Sequence, residues 1–366
     1  MNSLIGFLRH EKSLIIGFLS LVAMFFLAEP IRENLSSITV LAVVFAWLFF
    51  VILSAAINVV HHAECLAHRY GEPYGTLILT LSVIGIEVIM ITTVMLNAKE
   101  NPTMGRDTMY SVLMIVMNGL IGVALVAGAF KHREQGFNVR SFSTYMSCII
   151  VVCGLGFYMP LVVPANHLFA YEVFLVFACL CIYGIFLRIQ TVEHRSFFVY
   201  ESSSAPHEEN EYDSSRGGLY HGSMLLLTMI PIILLAKSLA IVIDEGLLLV
   251  NAPPAIAGLI VAILILSPEG LTAVRAARRN EMQRVINISL GSGLATVGLT
   301  IPVLLVVSLM TGQTLELGLD GDQAILLLIT VLSLKASLSD AKTNVLEGMI
   351  HFILFIAFVL TLFVID

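Results

Sequence analysis

Two glutamates are placed where glutamate is costly. Glu87 sits in the middle of the apolar run LILTLSVIGIEVIMITTV, and Glu269 interrupts a second such run, IAGLIVAILILSPEGLTAV, about 180 residues later. Ionising a carboxylate at the centre of a bilayer costs roughly 2.5–3.5 kcal/mol on insertion scales, so intramembrane acids mark ion and proton sites by default. A lone acid of this kind can instead pair with a neighbour and hold a bundle together. Two at matching places in matching runs point to a cation. A hard divalent ion takes six to eight oxygen ligands when it is Ca²⁺, and two carboxylates would cancel its charge. Without the metal, the same two groups would hold protons, because burial disfavours their charged form. Metal and proton then compete for one site.

Further oxygens are available nearby. Ser111 and Ser292 follow the two acids by 24 and 23 residues, and with Asn118 and Ser267 they are candidate auxiliary ligands. Serine in a membrane helix also serves simply to let helices approach. Helix breaks expected near Gly85 and at Ser267–Pro268 would release backbone carbonyls toward a water-filled cavity.

The elements that must carry these residues are membrane helices. Hydrophobic residues are 58% of the 366 positions and charged residues 12%, with a mean hydropathy of +0.94. A soluble body of this size is about one quarter charged. The net charge of −7 offers no basic patch for nucleic acid. Five cysteines lie in or beside apolar runs without metal-ligand spacing, as buried thiols do. Runs long enough for a ~30 Å hydrocarbon core predict about eleven spans, near 13–29, 36–62, 74–97, 108–130, 142–163, 168–189, 221–243, 254–274, 285–310, 323–338 and 345–365. The fold class is therefore an all-α polytopic membrane protein. With the N-terminus inside, fifteen of the nineteen Lys and Arg residues fall on the inner side. That bias predicts N-terminus cytoplasmic and C-terminus outside.

One connection is long. Residues 191–220 form a Ser-rich acidic loop carrying Glu201, Glu208, Glu209, Glu211 and Asp213, which by composition is a solvated linker. It divides the chain into an extra first helix (1–35), five helices (36–190) and five more (221–366). Aligning Glu87 with Glu269 also aligns Pro73 with Pro254. The two Glu spans are third and eighth, an odd number apart, so they cross in opposite senses. Two inverted-topology repeats of this kind place a transport site near the midplane, where the repeats meet.

A second group lies at the inner end of the second span: His61, His62 and Glu64, with His68, and Glu72 just beyond. Histidine titrates near neutrality, so these residues could form a proton path or sense pH. They could equally make ordinary polar contacts at a helix end, and Glu72 could cap the helix that follows.

Three segments carry a resemblance. GEPYGTLILTLSVIGIEVIMI and LILSPEGLTAVRAARRNEMQRVINISLGSGLATVGLTIP resemble the paired signature repeats of the cation/proton exchangers in the calcium:cation antiporter superfamily. SLSDAKTNVLEG (Ser337 to Gly348) resembles the family's segment before the last helix. The resemblance covers essentially the whole chain. It implies an exchanger of cytoplasmic Ca²⁺ for protons in a bacterial inner membrane, with Glu87 and Glu269 binding both. The family's asparagines in these repeats are replaced here by Ile84 and Leu266, and its glutamine after Gly291-Ser292 is missing. Fewer side-chain oxygens favour acceptance of Na⁺ or K⁺ as well. Sodium-coupled calcium exchange and a cation channel are rival readings. An intramembrane metalloenzyme is a third, disfavoured because the chain has no HExxH. No nucleotide-binding glycine loop is present, so the expected partners are inorganic cations, protons and the bilayer, with no cofactor. The oligomeric state is left open.

Overall fold

The computed structural model describes residues 10–71, 74–97, 102–199 and 216–364. Glu72, Pro73 and the acidic stretch of the long loop lie outside the described residues. Eleven helices run in chain order among those described: α1 Lys12–Asn34, α2 Ile38–Tyr70, α3 Tyr74–Asn97, α4 Met104–His132, α5 Val139–Leu161, α6 Ala165–Glu193, α7 Gly218–Val250, α8 Ala255–Arg278, α9 Met282–Thr311, α10 Gly321–Ser337 and α11 Val345–Val364. Nine are long and apolar enough to cross a membrane. Helix α3 is 24 residues long, and its sequence is apolar over most of that length. Helix α10 has 17 residues, or about 25 Å of rise. These eleven match the expected spans to within a few residues at most ends. The second is the main exception: α2 continues two turns past His62 to Tyr70. The histidine group therefore lies inside a helix and not at its end.

Contacts divide the chain into two compact units. The first holds residues 1–104 and 208–268, the second 105–207 and 269–366. Within the first, α2 packs along α7, and α1 and α3 each lie against both. Ser13 and Ser54 join α1 to α2 through a 2.8 Å hydroxyl pair, and the Trp47 indole donates to the Ser20 hydroxyl at 3.1 Å.

The second unit is built around α4 and α11. Gly122 and Gly348 let the two backbones touch. A Cβ on Gly122 would stand 2.7 Å from the Phe352 nitrogen, and one on Gly348 2.8 Å from the Val126 nitrogen. Close approach through small residues is how membrane helices gain contact without a hydrophobic driving force. The segment that resembles the family motif shapes this crossing. Asn344 accepts from the Leu346 backbone at 2.9 Å while Glu347 accepts from the Asn344 backbone at 3.0 Å, a reciprocal cap at the start of α11. Just before it, Lys342–Thr343 pairs antiparallel with Gln135–Gly136, and Lys342 meets Glu134 at 3.1 Å. Elsewhere in the unit α9 lies against α5 and α6. Helix α6 leaves Phe169, Val173, Phe177 and Leu180 exposed, as a lipid-facing helix does.

The expected helix breaks are not where the sequence placed them. Helix α3 runs unbroken through Gly85, and α8 runs unbroken through Ser267 and Pro268. Proline removes one donor from the ladder, but membrane helices tolerate that loss when neighbouring groups take it up. Irregular backbone instead occurs in later helices, with π turns in α5 at Gly154–Tyr158, in α6 at Ile189–Glu193, and one helix after each glutamate. A π turn interrupts α4 at Ile115–Leu120, and another interrupts α9 at Thr296–Thr300. They begin 28 residues after Glu87 and 27 after Glu269, so they fall at corresponding places. Each contains a glycine with a ring pressed on it: Phe355 over Gly119 and Tyr183 over Gly298, both 3.1 Å from where a Cβ would stand. Single π turns of this kind cluster at functional sites.

Candidate functional site

Glu87 belongs to the first unit and Glu269 to the second. Glu87 is 1% exposed on α3, with Ile84, Ile86, Met90 and Ile91 buried around it on the same helix. The turn below it packs against α7, where Gly85 faces the Met229 methyl.

Glu269 follows Pro268 in α8. Its Oε2 is buried and has no hydrogen-bond partner among the described residues. The Ser292 hydroxyl of α9 lies near the carboxyl, and it too is buried with no hydrogen-bond partner among the described residues. A buried carboxylate oxygen and a nearby buried hydroxyl, each without a partner of its own, are two oxygens that a third species could use. Nearly all buried polar atoms in folded proteins are hydrogen-bonded, which gives this exception its weight. The α4 π turn closes the site on one side. Leu120 approaches Gly270, and Leu113 and Val116 approach Gly293, each at 3.6–3.8 Å from where a Cβ would be. The two glycines directly follow Glu269 and Ser292.

The other predicted ligands are placed differently. Ser111 is 1% exposed on α4. Ser267 donates to the Ile263 carbonyl of its own helix at 2.5 Å, so its hydroxyl hydrogen is already used. Asn118, fully buried in the α4 π turn, donates from Nδ2 to the Thr330 hydroxyl at 2.8 Å, and its Oδ1 accepts from His351 Nδ1 at 3.1 Å. Both ends of its amide are engaged by α10 and α11.

The histidine group separates. His61 turns toward Cys65 Sγ at 3.9 Å, and Glu64 is half-buried. His62 turns inward and becomes the centre of a network in the first unit. Its Nδ1 faces His221 Nδ1 at 3.0 Å, and its Nε2 meets Glu11 Oε2 at 3.2 Å. One of the two facing Nδ1 atoms carries the shared proton and the other accepts it. Glu11 also accepts from Asn58 at 3.3 Å and from the Tyr220 hydroxyl at 2.5 Å, with Arg216 3.9 Å away. Burial works to raise the Glu11 carboxyl, yet the bonds from His62 and Tyr220 and the nearby His62 charge prevail and hold it at about 2. The network ties the residue just before α1 to α2 and α7.

Sequence reasoning did not find Glu11, His221, Tyr220, Thr330 or His351. A usable signal existed for His351, an ionisable residue inside the apolar run HFILFIAFVL, where such residues are functional candidates. For Glu11 and His221 there was none, since they meet His62 across 51 and 159 residues of chain.

Eleven helices among the described residues, nine of them long and apolar enough to cross a membrane, describe a polytopic membrane protein. Residues 40–192 and 221–364 match the family described as sodium/calcium exchanger protein, and the chain belongs to that family. It is 37% identical over 360 residues, 97% of each chain, to the sodium-potassium/proton antiporter ChaA of Escherichia coli (strain K12). Among solved structures it resembles the Ca²⁺/H⁺ antiporter protein YfkE, with a TM-score of 0.74 at 17% identity over 97% of this chain and 99% of that one. It also resembles the H⁺/Ca²⁺ exchanger CAX, with a TM-score of 0.67 at 15% identity over 94% and 88%. At those identities the structures speak for the fold alone.

Proposed function

We propose that this protein is a cation/proton antiporter that exports Ca²⁺, and also Na⁺ or K⁺, from the cytoplasm across a bacterial inner membrane. On this reading metal and protons compete for Glu87 and Glu269. The observation that carries this reading is the buried Glu269 carboxylate beside the unbonded Ser292 hydroxyl. The family membership and the names of ChaA and YfkE agree with it.

Coupling follows from charge. With both carboxylates ionised and no ion bound, the site carries two negative charges, each costing roughly 2.5–3.5 kcal/mol at the bilayer centre. That form cannot change sides readily. One Ca²⁺ or two protons neutralises it, and so would a pair of monovalent ions or one monovalent ion with a proton. Only the neutral forms cross the barrier, so cation and proton move in opposite directions through inverted repeats that alternate access. Hydrophobic Ile84 and Leu266, where the resembling family has asparagines, leave the site with fewer neutral oxygens. A Ca²⁺ ion seeking six or more ligands loses more by that than Na⁺ or K⁺ does. The reading gives the Glu11–His62–His221 network no part in binding the cation.

The test is exchange in proteoliposomes under an imposed pH gradient, with Ca²⁺, Na⁺ and K⁺ added separately. Each cation should release the gradient in the wild type. Strict preference for Ca²⁺ at equal concentration would defeat the relaxed selectivity. Ca²⁺ movement driven only by a Na⁺ gradient, without proton flux, would favour sodium/calcium exchange.

A further inference from the structure

The α4 π turn has two working faces. On one, Leu120 and Val116 lie against Gly270 and Gly293, the neighbours of Glu269 and Ser292. On the other, Asn118 is held by Thr330 of α10 and His351 of α11. All three polar residues are fully buried. Their hydrogen-bond directions form one consistent chain. Thr330 points its own hydroxyl at Met114 Sδ, 3.7 Å away, so it accepts from the Asn118 amide nitrogen. The Asn118 oxygen therefore faces His351, and His351 must carry its proton on Nδ1 to donate there.

We infer that His351 is a positioning residue for cation binding: it fixes the Asn118 amide, and through it the π turn that walls the Glu269–Ser292 site. This rests on the proposed role of Glu269. A π turn has weaker internal hydrogen bonding than the α-helix around it and needs holding from outside. Gly122 and Gly348 supply the place, because the backbone contact between α4 and α11 sets His351 against Asn118 one turn away from the crossing. Without the Nδ1 donor, the Asn118 oxygen would be buried with no partner. The turn could then relax toward α-helical pairing and move Leu120 and Val116 off the two glycines. His351 touches no transported ion. It acts on affinity through the wall.

The experiment compares His351→Leu, His351→Asn, His351→Gln and Thr330→Val in proteoliposomes, with Glu269→Gln as control. Asparagine places an amide N–H where Nδ1 stands, whereas glutamine reaches only the position of Nε2. His351→Leu should raise the cation concentration for half-maximal flux about tenfold, as the loss of one buried hydrogen bond implies, with maximal flux within about twofold. His351→Asn should restore half-saturation and His351→Gln should not. Thr330→Val should move it in the same direction by a smaller factor, and tests the inference even if His351→Leu fails to fold. Equal behaviour of the Asn and Gln variants, or unchanged half-saturation in folded His351→Leu or Thr330→Val protein, would overturn the inference. If Glu269→Gln still exchanges at the wild-type rate, the underlying reading fails. If only the His351 and Thr330 variants behave as wild type, that reading stands and the positioning role falls.

Discussion

Glu11 and Glu269 are both buried carboxylates, and their surroundings are opposite. Glu11 is 2% exposed and receives His62, Asn58 and Tyr220, with Arg216 close by. Both of its oxygens have hydrogen-bond donors. Glu269 keeps one oxygen with no partner among the described residues, beside a serine that is also unbonded. A carboxylate whose partners are all protein groups is a fastener, and removing one partner of a buried pair is costly. A carboxylate left with an open oxygen in an apolar helix can hold something that comes and goes. The difference separates the acid that secures the start of α1 to α2 and α7 from the acid proposed to bind the cation.

The sharpest way to break the comparison is to neutralise each acid. Glu269→Gln and Glu87→Gln should each lower cation-triggered proton flux by about a hundredfold or more, equivalent to roughly 2.7 kcal/mol, with the folded yield in detergent unchanged. Glu11→Gln should do the reverse, lowering the melting temperature while leaving most of the exchange rate. If Glu11→Gln stopped exchange without loss of stability, the assignment of fastener and carrier would be inverted.

The Glu11 carboxyl also predicts a pH signature. Its folded value, about 2 against an ordinary 4.5, is depressed, so the stability it contributes is complete above 4.5 and disappears as pH falls toward 2. The gap in melting temperature between wild type and Glu11→Gln should be constant from pH 7 to about 5 and close below that. A gap that widens on acidification would contradict the bonding seen around Glu11.

Smaller effects sharpen the picture around Glu269. Ser292→Ala removes one candidate oxygen and should raise the half-saturating cation concentration several-fold, the range expected from one hydrogen-bond equivalent of ~0.5–1.5 kcal/mol. Ser267→Ala should change it by less than about twofold, because that hydroxyl is spent on Ile263. Equal effects of the two serines would mean that the π turn does not single out Ser292.

The spans were legible because a long apolar run is the strongest pattern a sequence carries, and the two glutamates stood out because charge is rare inside one. The extension of α2 to Tyr70 was not, since HHAECLAHR looks like an interfacial stretch by composition although it is helical. Pro268 was read as a break because proline breaks soluble helices, whereas in α8 the helix continues through it. No residue type marks a π turn, so Ile115–Leu120 and Thr296–Thr300 gave no signal. The contacts that distinguish Glu11 from Glu269 join residues far apart in the chain, such as His62 with His221 and Asn118 with His351. Single-sequence patterns do not report such pairings.

The shared site is tested most directly by proton release on cation binding, measured in weakly buffered detergent solution near neutral pH without any membrane. On the proposed reading ion and proton share the same carboxylates, so adding Ca²⁺ or Na⁺ to the wild type should acidify the solution in proportion to the cation bound. The Glu87→Gln, Glu269→Gln double variant should release no protons. Cation binding to the wild type without acidification, or undiminished release by the double variant, would contradict competition at the two glutamates.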